Sequence, residues 1–316
     1  MHIAVVIPAF NVAPFLGTAI GSVLRQTHTN WSLTVVDDGS TDPTRTIAAR
    51  FHDQRIHLIQ QTNQGASAAR NAGIAACEDQ PVRPDAYLFL DGDDWLAPDA
   101  LDCLASALVC APTAVAAFGS YARVSTGGTS RIVTPDAYGD ILERLVIRNL
   151  FANGGHLLIR RSAIAAAGWF RTDLTFGEDW EYWVRLALAG NFTATRGTSP
   201  LLFVRERSGS ASMSRAADPQ AYQPALAAIH ANPEVARVLG VARLHRLRTA
   251  ADAEIAWAVG RELIRHGQKA DGTGWLWRSI RQALGAKRFL LTLIARLRLG
   301  PFRPYPVAKH GRIAAL

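Results

Sequence analysis

The chain has 316 residues, 49% of them hydrophobic and 19% charged, which excludes a disordered, collagen-like or coiled-coil protein and allows one large domain with an appendage or two modest domains. Its net charge of +8 is unevenly spread: residues 240–316 hold 15 of the 34 Lys and Arg but only 4 of the 26 Asp and Glu, so the rest is slightly acidic and does not read as a nucleic-acid-binding surface. Cys77, Cys103 and Cys110 cannot all pair and show no zinc-ligand spacing, which predicts buried free thiols and a reducing, cytoplasmic compartment.

The first predicted element is a strand at Ile3–Ile7: the run Met1–Phe10 has no basic leader and is interrupted by Pro8, so it reads as a buried strand rather than an export signal. A helix is expected around Pro14–Arg25, a strand at Leu33–Val36, a helix around Thr44–Phe51, a strand at Ile56–Ile59, a helix from Gly65 to Cys77 and a strand at Tyr87–Leu90. This alternation predicts an α/β fold with a mostly parallel central sheet flanked by helices, whose ligands bind beyond the carboxyl ends of the strands. Val115–Val133 is punctuated by Gly and Ser, and a helix near Asp140–Ile147, a strand near His156–Arg160 and an amphipathic helix near Glu178–Leu188 follow. Mixed-direction strands and acceptor-facing elements are expected in that region. Arg205–Asp218 is polar and aperiodic, as a mobile loop would be, and the remainder reads as helix almost to Gly300. No apolar run approaches the roughly 18 residues of a membrane-spanning helix.

Five clusters carry chemistry. Val5–Asn11 ends a buried strand at a proline and delivers a ring and an amide into the crevice, where Phe10 either stacks on a base or packs beneath a loop. Val35–Asp42 runs a second strand into adjacent carboxylates: Asp42 is expected to cap the helix beginning near Pro43, Asp38 to face a uracil or ribose, and Asp37 suits either task. Asn63–Gly73 is a small-residue helix entry from which Arg70 projects, as a rigid donor to a base or pyrophosphate or as a solvated surface arginine. Asp91-Gly92-Asp93-Asp94 crowds three carboxylates at the end of a central strand. Such charges raise one another's pKa unless a divalent cation is bound, and hard oxygen ligands favour Mg²⁺ or Mn²⁺ shared with substrate phosphate. Glu178 and Asp179 begin a helix rich in aromatics, where they act as dipole-stabilised caps or supply a base for an acceptor hydroxyl.

In this order, Ile7-Pro8-Ala9-Phe10-Asn11, Val36–Asp42, Asn63-Gln64-Gly65 with Ala69-Arg70-Asn71, Leu90–Asp94 and Glu178-Asp179 resemble glycosyltransferase family 2 across residues 1–215. The resemblance implies a GT-A fold (a Rossmann-like, mostly parallel sheet), with residues 216–316 as a helical, basic extension. It also implies metal-dependent inverting transfer from a nucleotide-diphosphate sugar, most often a UDP-sugar, to a glycan or lipid-linked acceptor of cell-surface polysaccharide. Pro8, Phe10 and Asn11 would line the nucleotide pocket, Asp38 would bind uracil, and Arg70 would hold the base or phosphate region. Asp91, with Gly92 beside it, would contact the ribose; Asp93, with Asp91 and Asp94, would coordinate Mn²⁺ or Mg²⁺. Asp179 would be the base and Glu178 an orienting neighbour.

Many relatives carry a histidine after the last catalytic strand, where this chain has Arg205-Glu206-Arg207-Ser208-Gly209-Ser210; Arg205 or Arg207 is expected instead to close over the pyrophosphate as part of a lid. Residues 275–300 combine Trp, Leu and Arg at helical spacing, which suits peripheral binding to an anionic membrane surface, packing on the catalytic body, or a homodimer contact. The rivals are a nucleotidyltransferase, which would need a glycine-rich phosphate loop followed by basic residues, and a catalytically silent nucleotide-sugar-binding scaffold, which would need no base.

Overall fold

Strands β1 (Ile3–Ala9), β2 (Trp31–Asp38), β3 (Ile56–Gln61) and β4 (Ala86–Phe89) are parallel, and helices α1 (Ala13–Leu24), α2 (Thr44–Ala48) and α3 (Ala66–Glu78) stand between them in sequence. The first residues of β1 and all of β4 are buried because helices cover both faces of the sheet, so they read as continuous apolar runs. In α1 the buried Leu16, Ala19, Ile20 and Val23 recur at helical spacing and form the face turned to the sheet. The computed structural model describes residues 1–125, 127–128, 130–137, 139–206, 215–283 and 292.

The chain continues through β5 (Trp95–Leu96), α4 (Ala100–Cys110), β6 (Ala116–Phe118), β7 (Ser120–Ser125), β8 (Ser130–Val133), α5 (Leu142–Leu145), a short 3₁₀ turn (Gly154–His156) and β9 (Leu157–Arg160). Next come α6 (Arg161–Ala167), α7 (Glu178–Ala189), β10 (Phe192–Ala194), β11 (Pro200–Glu206), α8 (Gln223–Ala231), α9 (Pro233–Leu239), α10 (Val241–Arg265) and α11 (Lys269–Gln282). The main sheet has the order β10-β6-β9-β4-β1-β2-β3, with β9 antiparallel to β4 and β6, and a second sheet has the order β5-β11-β7-β8. The expected mostly parallel α/β sheet is therefore present, with mixed directions beyond residue 115.

Close approach of α3 to the sheet depends on Gly73, where a Cβ would lie 2.3 Å from Val6 Cγ1. Gly73→Ala is expected to cost about 1–3 kcal/mol through overpacking. Chemical denaturation measures it, and an unchanged midpoint would mean that α3 can shift freely.

Two sequence expectations need correction. All three cysteines are free, yet only Cys77 is buried; Cys110 ends the amphipathic α4 on its solvent side. Arg205 and Glu206 belong to β11, held there by pairing with Val124 and Ser125 of β7, instead of opening a loop. Residues 207–214, with Arg207, lie outside the described residues. Of the stretch 275–300, the part up to Gln282 completes α11, whose Leu276, Ser279 and Ile280 are buried, with Ser279 Oγ donating to the Ala253 carbonyl of α10; residues 284–291 and 293–300 lie outside the described residues. The helices after residue 216 place Ala225, Leu226, Ile229, Val235, Leu244, Ala251, Ile255 and Val259 in the same hydrophobic cluster as Val6, Phe89 and Trp180. Among the described residues no helix is long and apolar enough to cross a membrane.

Candidate active site

β1 bonds to β2 on one side and β4 on the other, so the strand order reverses there, the position where open α/β sheets leave a ligand crevice. Pairing with β4 stops at Val6–Phe89, whereas pairing with β2 continues to Ala9–Asp37, so the strands part above Phe89. Asp91-Gly92-Asp93-Asp94 leaves from this gap. A Cβ on Gly92 would meet Val12 Cγ2 at 3.0 Å and the Pro8 carbonyl oxygen at 3.3 Å, so a glycine lets the acidic loop lie on the end of β1.

At that end Phe10 is 47% exposed, an unusual position for a large apolar ring. Asn11 has φ 51°, the left-handed region that asparagine tolerates best among residues with a Cβ. Its Oδ1 accepts from the Thr41 amide at 2.9 Å and the Asp42 amide at 3.3 Å, so its side chain clasps the loop after β2. Asp42 Oδ1 accepts from the Thr44 amide at 3.0 Å and Oδ2 from the Ala13 amide at 3.1 Å, so it serves the starts of both α2 and α1. Partial burial would raise its pKa, but these bonds hold the carboxyl below its ordinary value. Asp38 is buried and structurally engaged: Oδ1 accepts from Gln61 Nε2 at 2.7 Å and the Gln64 amide at 2.9 Å, and Oδ2 from the Gly65 amide at 2.8 Å. Asp37 Oδ1 accepts from the Ser40 amide at 3.1 Å, while its Oδ2 is buried with no hydrogen-bond partner.

The carboxylates separated furthest in sequence meet on Arg70. Its guanidinium, 6% exposed on α3, donates to Asp91 Oδ1 at 3.0 Å and to Glu178 Oε1 at 3.2 Å, and lies 5.4 Å from the centre of the Phe170 ring. Burial alone would lower its pKa, but Asp91, Glu178 and Asp179 outweigh that and keep it above the ordinary arginine value. The solvated alternative for Arg70 is therefore excluded. Asp179 accepts from Asn149 Nδ2 at 3.3 Å and from the Trp180 amide at 2.6 Å. Its pKa is pushed up to about 7 by burial and by the neighbouring Glu178 charge, against the opposing pull of Arg70. The helix beneath it is fixed by Trp180, whose Nε1 donates to the Leu145 carbonyl at 2.6 Å, and by Tyr182, stacked on Phe170 at 3.9 Å.

Asn153 organises the acidic loop. Its Nδ2 donates to Asp94 Oδ2 at 2.7 Å and Asp91 Oδ2 at 3.1 Å, while Oδ1 accepts from the Gly155 amide at 2.9 Å. Asp94 Oδ1 accepts from the Arg205 amide at 2.9 Å, so both Asp94 oxygens are engaged within the protein. Burial, and then Asp91 and Asp93, push the Asp94 pKa well above the usual carboxylate range. The Arg205 side chain donates from Nε to the Asp93 carbonyl at 3.1 Å and lies over the rings of Phe15 and Trp95. These contacts frame the acidic loop. His156 is fully buried, its pKa lowered to about 4 by burial, so it is a neutral imidazole that accepts from the Ala152 amide at 3.2 Å and donates to the Gly119 carbonyl at 2.8 Å.

Asn153→Ala would strip a donor from two carboxylate oxygens, and a stability loss of about 1–3 kcal/mol is expected. An unchanged denaturation midpoint would remove Asn153 from this frame.

Among the described residues no three His, Cys, Asp or Glu form a ready metal cage. With Asp94 tied to Asn153 and Arg205 and Asp91 shared between Arg70 and Asn153, the donor set suits a hard cation that takes one or two carboxylates and completes its shell with substrate phosphate and water. Asp93, half-buried at the turn, and Asp91 are the candidates for that contact.

The fold thus brings Arg70, Asp91, Glu178 and Asp179 together with Asp93 and Asp94, while Phe10, Asn11 and Asp38 stand at neighbouring strand ends. Sequence reasoning missed Asn149, Asn153 and His156; the run Asn153-Gly154-Gly155-His156 before a strand was the available signal.

Comparison with known proteins bears on the family and the fold. A sequence profile described as Glycosyl transferase family 2 matches residues 4–167. The chain is 42% identical over 104 residues to an uncharacterized glycosyltransferase of Nostoc sp., covering 32% of this chain and 31% of that protein. It is 36% identical over 97 residues to the UDP-Glc:alpha-D-GlcNAc-diphosphoundecaprenol beta-1,3-glucosyltransferase WfgD of Escherichia coli, covering 30% and 36%. The match thus spans about a third of each relative. Among solved structures, S. aureus TarS 1–349 in complex with UDP-GlcNAc superposes with TM-score 0.67 at 17% identity, covering 94% of this chain and 88% of that one. The mannosyltransferase PcManGT of Pyrobaculum calidifontis, in complex with GDP-Man and Mn2+, superposes with TM-score 0.56 at 19% identity, covering 93% and 84%. These structures share the fold, and with the profile match over half the chain they establish that this protein belongs to glycosyltransferase family 2.

Proposed function

We propose that the chain is an inverting glycosyltransferase that moves a sugar from a nucleotide-diphosphate donor, a UDP-sugar, to a hydroxyl of a glycan or lipid-linked acceptor in cell-surface polysaccharide synthesis. The observation that carries this reading is the bridge made by Arg70 between Asp91 of the acidic loop and Glu178 beside Asp179, which puts a donor-diphosphate loop and a recessed carboxyl of pKa about 7 in one crevice.

In this reading the exposed Phe10 ring, flanked by Pro8, stacks on the base, and Asp38 Oδ2, which among the described residues accepts only the Gly65 amide, takes a base N–H. Asn11 shapes the pocket by fixing the loop after β2. Asp91 contacts the ribose, with Gly92 keeping the loop close to β1. Asp93 and Asp91 would hold Mn²⁺ or Mg²⁺, which when bound neutralises the charge gathering on the departing diphosphate. Asp179 accepts the acceptor hydroxyl proton as the oxygen bonds to the anomeric carbon and the bond from that carbon to the diphosphate oxygen breaks on the opposite face, so a single displacement inverts the centre. Glu178, held by Arg70, orients the pair. A carboxyl near pKa 7 suits a base working at neutral pH, and this favours an enzyme over a silent scaffold.

In this reading the catalytic unit spans residues 1–215, with the basic stretch 216–316 as its support, and the positive excess there favours a peripheral place at an anionic membrane face. The direct test is release of nucleoside diphosphate from UDP-, GDP- and dTDP-sugars and of CMP from CMP-sugars, with and without acceptor oligosaccharides. Release from one donor class supports the reading; none from any donor, by folded protein with Mn²⁺ and acceptors present, would sink it.

A further inference from the structure

The stretch between α5 and β9 carries two asparagines that reach both halves of the crevice. Asn149 Nδ2 donates to Asp179 Oδ2 at 3.3 Å, and Asn153 Nδ2 donates to Asp91 and Asp94. The stretch is pinned from several directions. At its start the Leu145 carbonyl accepts from Trp180 Nε1 at 2.6 Å, and the Val146 carbonyl from His230 Nε2 on α8 at 3.0 Å. Phe151 is buried against Phe118 of β6, Phe192 of β10 and Trp183, which lies one turn after Asp179 on α7. The neutral His156 ties the Ala152 amide to the Gly119 carbonyl. The backbone around Asn149 is therefore anchored to the helix that carries Asp179.

The Asn149 side chain is fixed in orientation as well. Its Oδ1 accepts from the Phe151 amide at 3.1 Å, a bond that only the oxygen can make, so Nδ2 is the atom turned to Asp179. On Asp179 the two bonds fall on different oxygens: Oδ1 takes the Trp180 amide at 2.6 Å and Oδ2 takes Asn149. A carboxylate held at both oxygens resists rotation of its plane, and each oxygen keeps a lone pair free for a further proton. The charged groups that face Asp179 are Glu178 on its own helix, Arg70 on α3 and Asp91 of the acidic loop. Asn149 adds an uncharged donor, which orients the carboxylate without cancelling its charge.

We propose that Asn149 is a positioning residue for the base: holding Asp179 Oδ2 while the Trp180 amide holds Oδ1, it sets the plane of the carboxylate that takes the acceptor proton. The proposal rests on the transferase reading above and deepens it, because Asn153 on the same anchored stretch holds the donor loop, so base and donor keep one spacing. An asparagine whose oxygen accepts from the amide two residues on otherwise serves only a turn, and aspartate serves a turn equally well. Asn149→Asp separates the two roles, since it can keep the Phe151 bond while presenting an acceptor to Asp179.

UDP release from UDP-glucose and UDP-N-acetylglucosamine, with Mn²⁺, is followed against pH in wild type, Asn149→Ala, Asn149→Asp and Asp179→Asn. A turn role alone leaves Asn149→Asp like wild type. Positioning predicts that both Asn149 variants lose about tenfold or more on the high-pH plateau, with donor KM unchanged. The rising limb near pH 7 should also move up, by about one unit or more in Asn149→Asp, where like charges meet. The pH dependence of Tm needs no donor. A base whose folded-state pKa is raised further loses its stabilising proton at higher pH, so Tm of Asn149→Asp should fall more between pH 7 and pH 9 than that of wild type. A wild-type plateau in Asn149→Asp, or a Tm profile parallel to that of wild type, would overturn the proposal. Wild-type turnover by Asp179→Asn would instead remove the base itself, whatever the Asn149 variants do, so the two failures are separable.

Discussion

Asp179→Asn is expected to lower the transfer rate by about 10²–10⁴-fold, the usual contribution of a positioned base, while leaving donor binding in place. The amide keeps the shape and the Trp180 contact but cannot take a proton. Because Asp179 must be ionised to act and its pKa stands near 7, wild-type kcat/KM should rise with pH through about 7, and this limb should be absent from the residual activity of the variant. Stability should move the other way. A carboxyl whose pKa is 3.8 in the unfolded chain and about 7 in the folded one binds its proton more tightly when folded, so its contribution to stability is lost as pH rises across that interval. Above pH 7 the wild type bears the cost of a recessed charge next to Glu178, and Asp179→Asn does not; its Tm at pH 8 should exceed that of wild type by a few degrees. Differential scanning calorimetry at pH 5 and pH 8 checks the sign. A variant with normal turnover, or one less stable at pH 8, would remove Asp179 from the role of base.

Arg70→Ala should damage the fold as well as the activity. The arginine is nearly fully buried and is bonded to Asp91 and Glu178, so its loss leaves carboxylates crowded without a counter-charge; breaking such a buried pair costs about 3–5 kcal/mol. Arg70→Lys should recover only part of this, since an ammonium on a flexible stem does not bridge two carboxylates as a planar guanidinium does. In whatever folded fraction remains, the Asp179 pKa should climb above 7, because Arg70 is the charge that opposes its rise. Denaturation midpoints and the pH–rate limb of Arg70→Lys measure the two effects. A midpoint equal to that of wild type would mean the carboxylates are compensated by other groups.

Much of this site was legible from local pattern. The runs Ile3–Ile7, Leu33–Val36 and Tyr87–Leu90 each end in polar residues, and parallel strands gather those ends at one edge of the sheet, so clustering of Asn11, Asp38 and Asp91 follows from topology alone. Arg70 was readable as a rigid donor, but its partners were not, because Asp91 and Glu178 stand 21 and 108 residues away. Asn153 and Asn149 escaped notice for a different reason. A lone asparagine in a loop is ordinarily a turn residue, and only the tertiary fold shows which carboxylate its amide reaches. Asp94 illustrates the limit from the other side: composition groups it with Asp91 and Asp93 as one acidic triplet, yet chain direction after Asp93 turns it inward onto Asn153 and the Arg205 amide. The short β5 and β10 went unread because two- and three-residue strands carry no usable periodicity.

The most direct measurement is the thermal shift of wild type and Asp93→Ala with UDP-, GDP-, dTDP- and CMP-linked sugars, in Mn²⁺, Mg²⁺ or EDTA. The account predicts that one UDP-sugar stabilises the wild type only when a divalent cation is present, and that Asp93→Ala, still folded, loses the response. A folded wild type stabilised by no nucleotide sugar, or a response that survives both EDTA and Asp93→Ala, would contradict it.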